Sequence, residues 1–382
     1  MVGAAGQWRS PREFDAAGPA GSLTVAPGAP PVDVVSFASN DYLGLTVHPA
    51  VVAAAHDALD RWGAGAGASR LVTGSRPGHA ALESALARWK GCEQAVVLPT
   101  GFAASLSVLS VFGAEGARVF SDELNHASIV DGCRMARAPV AVYPHGDLDR
   151  LESLVADSPE RAVIVSDTVF SMDGDEADLG GLVGVAERHG ALLVLDEAHA
   201  VLGPELPDGA LDAVDILRVG TLSKTLGALG GFVAGRRSFV ELLVNRARPY
   251  IFTTAPSPAD TAAALAAVGV VDSAEGDALR ARLAARVAVL AGPGHRSPIV
   301  PVVVGDEDRA VAASAALLDH GLWVPAIRPP TVPAGTSRLR VTLSAAHTHD
   351  QVRRLAVALD GVPGWTPDRG AGAARWGDPV AT

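Results

Sequence analysis

From residue 95 onward, short apolar runs alternate with longer amphipathic or Ala-rich stretches. The runs at 95–98, 117–120, 140–143, 162–166, 191–195, 216–220 and 231–234 have the length and content of buried strands. Between them, segments such as 148–156 and 179–189 carry helical patterning. Strands apolar on both faces, separated by helices, predict an α/β domain whose mostly parallel seven-stranded sheet is covered on both sides. Such sheets bind ligands beyond the carboxyl ends of their strands. Residues 257–291 read as Ala-rich helix with a break near Glu275-Gly276. Beyond it, 299–304 and 339–343 read as strands and 309–320 as a helix, the order of a smaller α+β domain. Residues 1–35, dense in Gly, Pro and Ala, predict an irregular arm with room for one short helix, and the tail after 361 a loose end. The expected division is an arm at 1–35, a large α/β domain at 36–256 and a C-terminal α+β domain at 257–382.

Composition narrows the class. Of 382 residues, 48% are apolar and 19% charged, which excludes a disordered chain. A net charge of −11 argues against nucleic acid or an anionic membrane as a partner held by bulk charge. No apolar run near the start has the form of a secretory signal. The stretch 95–114 is broken by Pro99-Thr100-Gly101 and is too rich in Ser for a spanning helix of ~20 residues. Cys92 and Cys133 are too few for a disulfide framework and lack metal-site spacing. The expectation is a soluble, reduced, cytoplasmic protein without a metal. A sharper detail is that only two of the 31 basic residues are lysines, Lys90 and Lys224. A lysine kept in an arginine-rich chain suits a role that needs a primary amine, because a guanidinium neither deprotonates nor forms an imine.

Polar residues gather just after the predicted strands. Thr221-Leu-Ser-Lys224-Thr-Leu-Gly-Ala-Leu-Gly-Gly231 follows one apolar run and combines hydroxyls, a lysine and glycines. It suits a phosphate with a Schiff-base lysine, or equally an ordinary surface lysine in a Gly-rich loop; it lacks P-loop spacing. Asp196 ends the run Ala191–Leu195, with His199 three residues on. A buried carboxylate there needs a partner, such as the protonated ring nitrogen of pyridoxal phosphate, a metal shared with His199, or a helix end to cap. A helicase reading of Asp-Glu-Ala-His fails without a Walker A loop. Gly101 and Phe102 open a helix after another run, a geometry fit for an anion. His126 and Ser171 follow two further runs, where a structural imidazole and a turn serine are the plain alternatives. These constellations, each after a different strand, would meet at one sheet edge.

Together these residues resemble the fold-type I pyridoxal-phosphate enzymes and, within them, the α-oxoamine synthases. The resemblance rests on Ser-Asn-Asp-Tyr-Leu-Gly at 39–44, Gly-Ala-Ser-Arg-Leu-Val-Thr-Gly at 67–74, Asn-His-Ala-Ser at 125–128, Phe-Ser-Met-Asp-Gly-Asp at 170–175 and Asp-Glu-Ala-His at 196–199. It covers about 36–359. The segment 327–340, Ile-Arg-Pro-Pro-Thr-Val-Pro-Ala-Gly-Thr-Ser-Arg-Leu-Arg, is similar to the branch that joins L-alanine to a pimeloyl thioester on the route to biotin.

The resemblance implies roles. Lys224 would hold pyridoxal 5′-phosphate as a Schiff base and later act as base. Asp196 would pair with the ring nitrogen, His199 would sit near the ring hydroxyl and His126 would stack on the ring. Gly101, Phe102, Thr221 and Ser171 would surround the cofactor, and Thr254 would reach its phosphate from the second subunit of a homodimer. Asn40, His126, Thr331 and Arg340 would line the substrate side, with Arg340 on the amino-acid carboxylate and Arg9, ahead of Arg12, as the N-terminal substrate contact. The partners implied are L-alanine and a pimeloyl group carried by CoA or acyl carrier protein, with loss of carbon dioxide. The sequence departs from the family at Ala200, where glycine is usual, and in the loop 201–209, which bears on the acyl donor. A sibling using glycine with acetyl-CoA or succinyl-CoA is the nearest alternative, and a non-catalytic cofactor-binding subunit the alternative from another class.

Overall fold

The computed structural model describes residues 11–365. Two compact units divide it, neither contiguous in sequence. One combines the described residues up to Gly44 with Ser171–Asp175 and the described residues from Ala278 on; the other holds Leu45–Phe170 and Glu176–Asp277.

The larger unit is built on the seven-stranded sheet that the apolar runs predict. Its spatial order is Gln94–Leu98, Gly231–Gly235, Ile216–Thr221, Leu192–Asp196, Arg161–Asp167, Ala117–Asp122 and Val140–Tyr143. Only Gly231–Gly235 runs antiparallel to its neighbours. Successive side chains alternate faces, and both faces are apolar. Val163, Val165, Val194, Leu217 and Val219 pack on one side with the helix Gly101–Phe112. Ile164, Leu193, Leu195 and Ile216 pack on the other with Leu148–Ala156 and Leu179–His189. Covering both faces leaves the strand ends as the open edge. The helix-turn signals sit where the chain leaves each strand: Thr100 caps Gly101–Phe112 and His126 caps Ala127–Met135.

The smaller unit corrects the expected arm. Residues 13–36 form a meander of Glu13–Asp15, Ala20–Thr24 and Val32–Ser36, which Leu322–Trp323 joins in parallel. Leu23, Val34 and Val35 are buried there, and Phe14 meets Trp323 edge-on at 5.4 Å. The glycines that suggested irregularity serve the turns: Gly18 and Gly28 take φ of 119° and 80°, open to glycine at little cost. No helix forms among the described residues before 36. A second sheet orders Ile299–Gly305, Ser337–Thr342 and Ala326–Ile327, all antiparallel. The helical break expected near 275 falls at 272–273, and Glu275 instead lies in the first turn of Ala274–Ala291, where a carboxylate suits the helix dipole. Among the described residues no helix is long and apolar enough to cross a membrane.

Candidate active site

At the open edge of the larger unit, strand register brings two carboxylates side by side. Asp196 and Asp167 end adjacent parallel strands and are ladder partners. Asp196 is 7% exposed. Its Oδ1 accepts the Ala198 N–H at 3.0 Å and its Oδ2 the Ser105 hydroxyl at 3.3 Å. Burial raises its pKa, against the pull of Lys224, the Ala198 N–H, His126 and Ser105. Asp167 is raised well above the carboxylate range, first by burial and then by the Asp196 charge. Its Oδ2 accepts the His126 backbone N–H at 2.8 Å. Asn125 ties the neighbouring strand ends together: its amide donates to the Val165 carbonyl oxygen at 2.9 Å and its Oδ1 accepts the Asp167 N–H at 2.8 Å.

Lys224 lies half-buried in the loop after Ile216–Thr221. That loop closes on itself through the Gly227 N–H to the Lys224 carbonyl oxygen (3.0 Å) and the Leu222 N–H to that of Gly230 (2.9 Å). Gly227 takes φ 61°, and a Cβ there would stand 2.5 Å from the Thr46 nitrogen, so the turn admits only glycine. The Lys224 Nζ reaches His199 Nε2 at 2.8 Å, and His199 is 5% exposed. His126 is exposed as a residue, yet its Nδ1 is held 2.8 Å from the Ser128 hydroxyl. Desolvation draws its pKa below the usual imidazole range, with Asp196 opposing and Lys224 adding.

A phosphate-sized anion has a place at the start of Gly101–Phe112. Among the described residues the Gly101 and Phe102 N–H groups have no protein acceptor. A Cβ on Gly101 would meet the Thr221 Cβ at 3.0 Å, so glycine lets Thr221 close on the helix end. The Thr221 and Ser223 hydroxyls are 2.7 Å apart. Free helix N–H groups, adjacent hydroxyls, a nearby primary amine and a buried carboxylate form the donor set that a phosphorylated pyridine aldehyde requires.

The other expected residues fall elsewhere. In the smaller unit Arg340 is 6% exposed. Its Nε donates to the Ser171 carbonyl oxygen at 2.5 Å and its terminal nitrogens to Asn40 Oδ1 (3.2 and 3.3 Å) and Thr342 Oγ1 (3.1 Å). All are neutral acceptors, and among the described residues no carboxylate pairs with it. Tyr42, whose hydroxyl donates to Asn40, is pushed up to about 12 by burial against the nearby guanidinium. Arg338 takes Asp173 instead. Thr331 is exposed in a turn whose N–H meets the Arg328 carbonyl oxygen. Thr254, in the larger unit, is exposed, and among the described residues its hydroxyl has no partner. Arg9 lies outside the described residues.

Sequence reading missed Asp167, Ser105 and the partners of Glu197. Asp167 belongs to the register of two strands. Ser105 lies one helical turn after Gly101, a spacing that places both on one face, but a lone helix serine carries no sign of it. Glu197 points away from Asp196 into a buried cluster. Lys90 Nζ stands 2.8 Å from one of its oxygens and Arg218 Nε 2.5 Å from the other. The second lysine of the chain is thus a buried ion-pair partner.

The chain matches the family Aminotransferase class I and II over residues 32–359. It is 49% identical to the 8-amino-7-oxononanoate synthase of Burkholderia cenocepacia (strain HI2424) over 347 residues, covering 86% of each. The enzyme of that name from Burkholderia thailandensis is also 49% identical, over 86% of this chain and 88% of its own. Among solved structures, serine palmitoyltransferase from Sphingomonas wittichii superposes with a TM-score of 0.83 at 30% identity, over 94% of each chain. A high-resolution SPT solved with PLP gives 0.82 at 32% identity, over 90% of each. An 8-amino-7-oxononanoate synthase from Francisella tularensis shares the fold, at TM-score 0.70 and 24% identity over 86% of this chain and 96% of that one. The architecture is that of the fold-type I PLP transferases. The chain belongs to the aminotransferase class I and II family and, within it, to the group of the 8-amino-7-oxononanoate synthases.

Proposed function

We propose that this enzyme condenses L-alanine with a pimeloyl thioester, releasing carbon dioxide and the free thiol carrier and forming 8-amino-7-oxononanoate for biotin synthesis. The observation that carries the reading is the meeting of a primary amine, Lys224, with His199 at 2.8 Å beside the buried Asp196. Pyridoxal phosphate is the cofactor, and when bound it supplies an electron sink for the bond electrons at the amino-acid Cα. Lys224 would hold it covalently through its primary amine, and that amine, when neutral, would serve as the base for the amino-acid Cα proton. His199 Nε2 steadies that amine. Asp196 would keep the ring nitrogen protonated through a buried charge-assisted bond. His126 would lie against the ring, and Gly101, Phe102, Thr221 and Ser171 would hold the cofactor's oxygens.

Arg340 receives the amino-acid carboxylate: a buried guanidinium with only neutral partners gains most from an anion. Asn40 fixes its plane, and Thr331 and Arg9 complete the substrate side. The active form is a homodimer in the cytoplasm. Thr254 supplies its free hydroxyl to the phosphate of the partner's site, and Phe252, Leu71 and Val72, 70%, 55% and 74% exposed, give apolar surface for a second copy to cover. The test is product analysis by mass spectrometry with L-alanine, glycine or L-serine against pimeloyl-CoA. Product from alanine, with carbon dioxide released in equal amount, supports the reading; product from glycine or serine alone overturns it.

A further inference from the structure

Between Asp196 and His126 runs an unbroken chain of hydroxyls. His126 Nδ1 is 2.8 Å from Ser128 Oγ, Ser128 Oγ is 3.2 Å from Ser105 Oγ, and Ser105 Oγ is 3.3 Å from Asp196 Oδ2. Both serines are sealed from solvent, Ser105 at 2% and Ser128 at 1% exposure. Each hydroxyl has one proton to give, so such a chain has two consistent directions. In the first, His126 Nδ1–H donates to Ser128, Ser128 to Ser105, and Ser105 to an ionised Asp196; Nε2 is bare. In the second, a protonated Asp196 donates to Ser105, Ser105 to Ser128, and Ser128 to Nδ1; Nε2 carries the imidazole proton.

From this geometry we infer that Ser105 and Ser128 are positioning residues that tie the charge of Asp196 to the tautomer of His126. The inference rests on the reading of Asp196 and His126 as cofactor contacts. One proton entering at Nε2, with the Nδ1 proton passed along the two hydroxyls to Oδ2, converts the first arrangement into the second, and the count balances. Two further contacts weight the choice. The Ser128 N–H also points at Nδ1, at 3.2 Å, which favours the second arrangement. The Gly101 carbonyl oxygen, 3.3 Å from Ser105 Oγ, offers that hydroxyl another acceptor.

The charged groups around the chain are few. Lys224 faces both ends, Asp167 neighbours Asp196 and accepts the His126 backbone N–H, and Asp122 faces Asp167. Burial of both carboxylates favours a protonated Asp196 in the protein alone. A protonated ring nitrogen set against Asp196 restores its charge and turns the chain round. His126 then offers a bare Nε2 only when the cofactor is in place.

Full-length protein carrying ¹⁵N-histidine and ¹³C-aspartate tests this by NMR, with and without pyridoxal phosphate. In the wild type, His126 is expected to pass from Nε2–H to Nδ1–H on loading. Without cofactor, its nitrogen shifts should move with pH at the same midpoint as the Asp196 carboxyl carbon. Ser105→Ala is expected to lose both the switch and the shared midpoint, and Ser105→Thr to keep them. A switch undiminished in Ser105→Ala, or wild-type midpoints that do not coincide, overturns the inference. Cofactor uptake is followed separately by the imine absorbance. If none develops, the functional reading fails while the pH titration still decides the hydroxyl chain.

Discussion

Asp196 and Glu197 are adjacent, both acidic, and both have buried carboxyl groups at the end of one strand, yet their surroundings push their pKa values in opposite directions. Pleating sends them to opposite sides. Asp196 meets neutral donors and one ammonium shared with His199, and burial wins, so its carboxyl is raised. Glu197 meets burial too, but Lys90 and Arg218 outweigh it and hold the carboxylate below its usual range. The same burial, with Arg218 beside it, draws the Lys90 ammonium down. Glu197 has its charge answered within the protein, and nothing is left over for a ligand. Asp196 is under-compensated, and a cationic ring nitrogen would complete it. A strained charge balance, more than a charge as such, marks the functional member of the pair.

The comparison can be broken from either side. Asp196→Asn is expected to leave the fold intact while Cα-proton exchange of L-alanine falls by on the order of 10²–10³, as for loss of a preorganised electrostatic partner; hydrogen–deuterium exchange at Cα reads it. Glu197→Gln should do the reverse. Removing it leaves Lys90 and Arg218 buried without their shared carboxylate, a loss of about 3–5 kcal/mol in unfolding free energy. Denaturant melts would show this, while the fraction still folded keeps its exchange rate.

The pH dependence sharpens the same contrast. Asp196 and Asp167 are raised in the folded state, so the stability tied to their protonated forms is lost as pH rises through their folded values. Cofactor-free Asp196→Asn should therefore melt higher than the wild type on the alkaline side, and the gap should close on acidification. His79 and His347 act in the opposite sense. Burial lowers both, so their contribution is complete above the unfolded value of about 6.5 and is lost as pH falls through the folded values. His347, stacked on Phe37 at 4.4 Å, is the one to replace: His347→Gln should flatten the acid limb of a melting-temperature profile by a small but measurable amount.

Much of this was legible along the chain, for physical reasons. Parallel strands covered on both faces are apolar at nearly every position, so 162–166 and 191–195 stand out from their surroundings, and a polar residue directly after such a run marks the strand end. That is why Asp196, His126 and Lys224 could be singled out. The meander at 13–36 was hidden because its strands are only three to five residues long and its turns carry the glycine and proline. Asp167 was hidden because its importance lies in register with another strand, and Ser105 because a serine inside a helix has the same sequence signature whether it serves the fold or a carboxylate. The opposite fates of Asp196 and Glu197 depend on partners far off along the chain, Lys90 for Glu197 and, 91 positions away, Ser105 for Asp196, each brought within reach only by packing.

The two lysines give the most direct test of which side of that strand end carries the chemistry. Protein loaded with pyridoxal phosphate is reduced with borohydride, digested and mapped by mass spectrometry. The account predicts one pyridoxyl group per chain, on Lys224 and absent from Lys90, whose ammonium is engaged with Glu197 at 2.8 Å. A label on Lys90, or a Lys224→Ala variant that labels as well as the wild type, would contradict it.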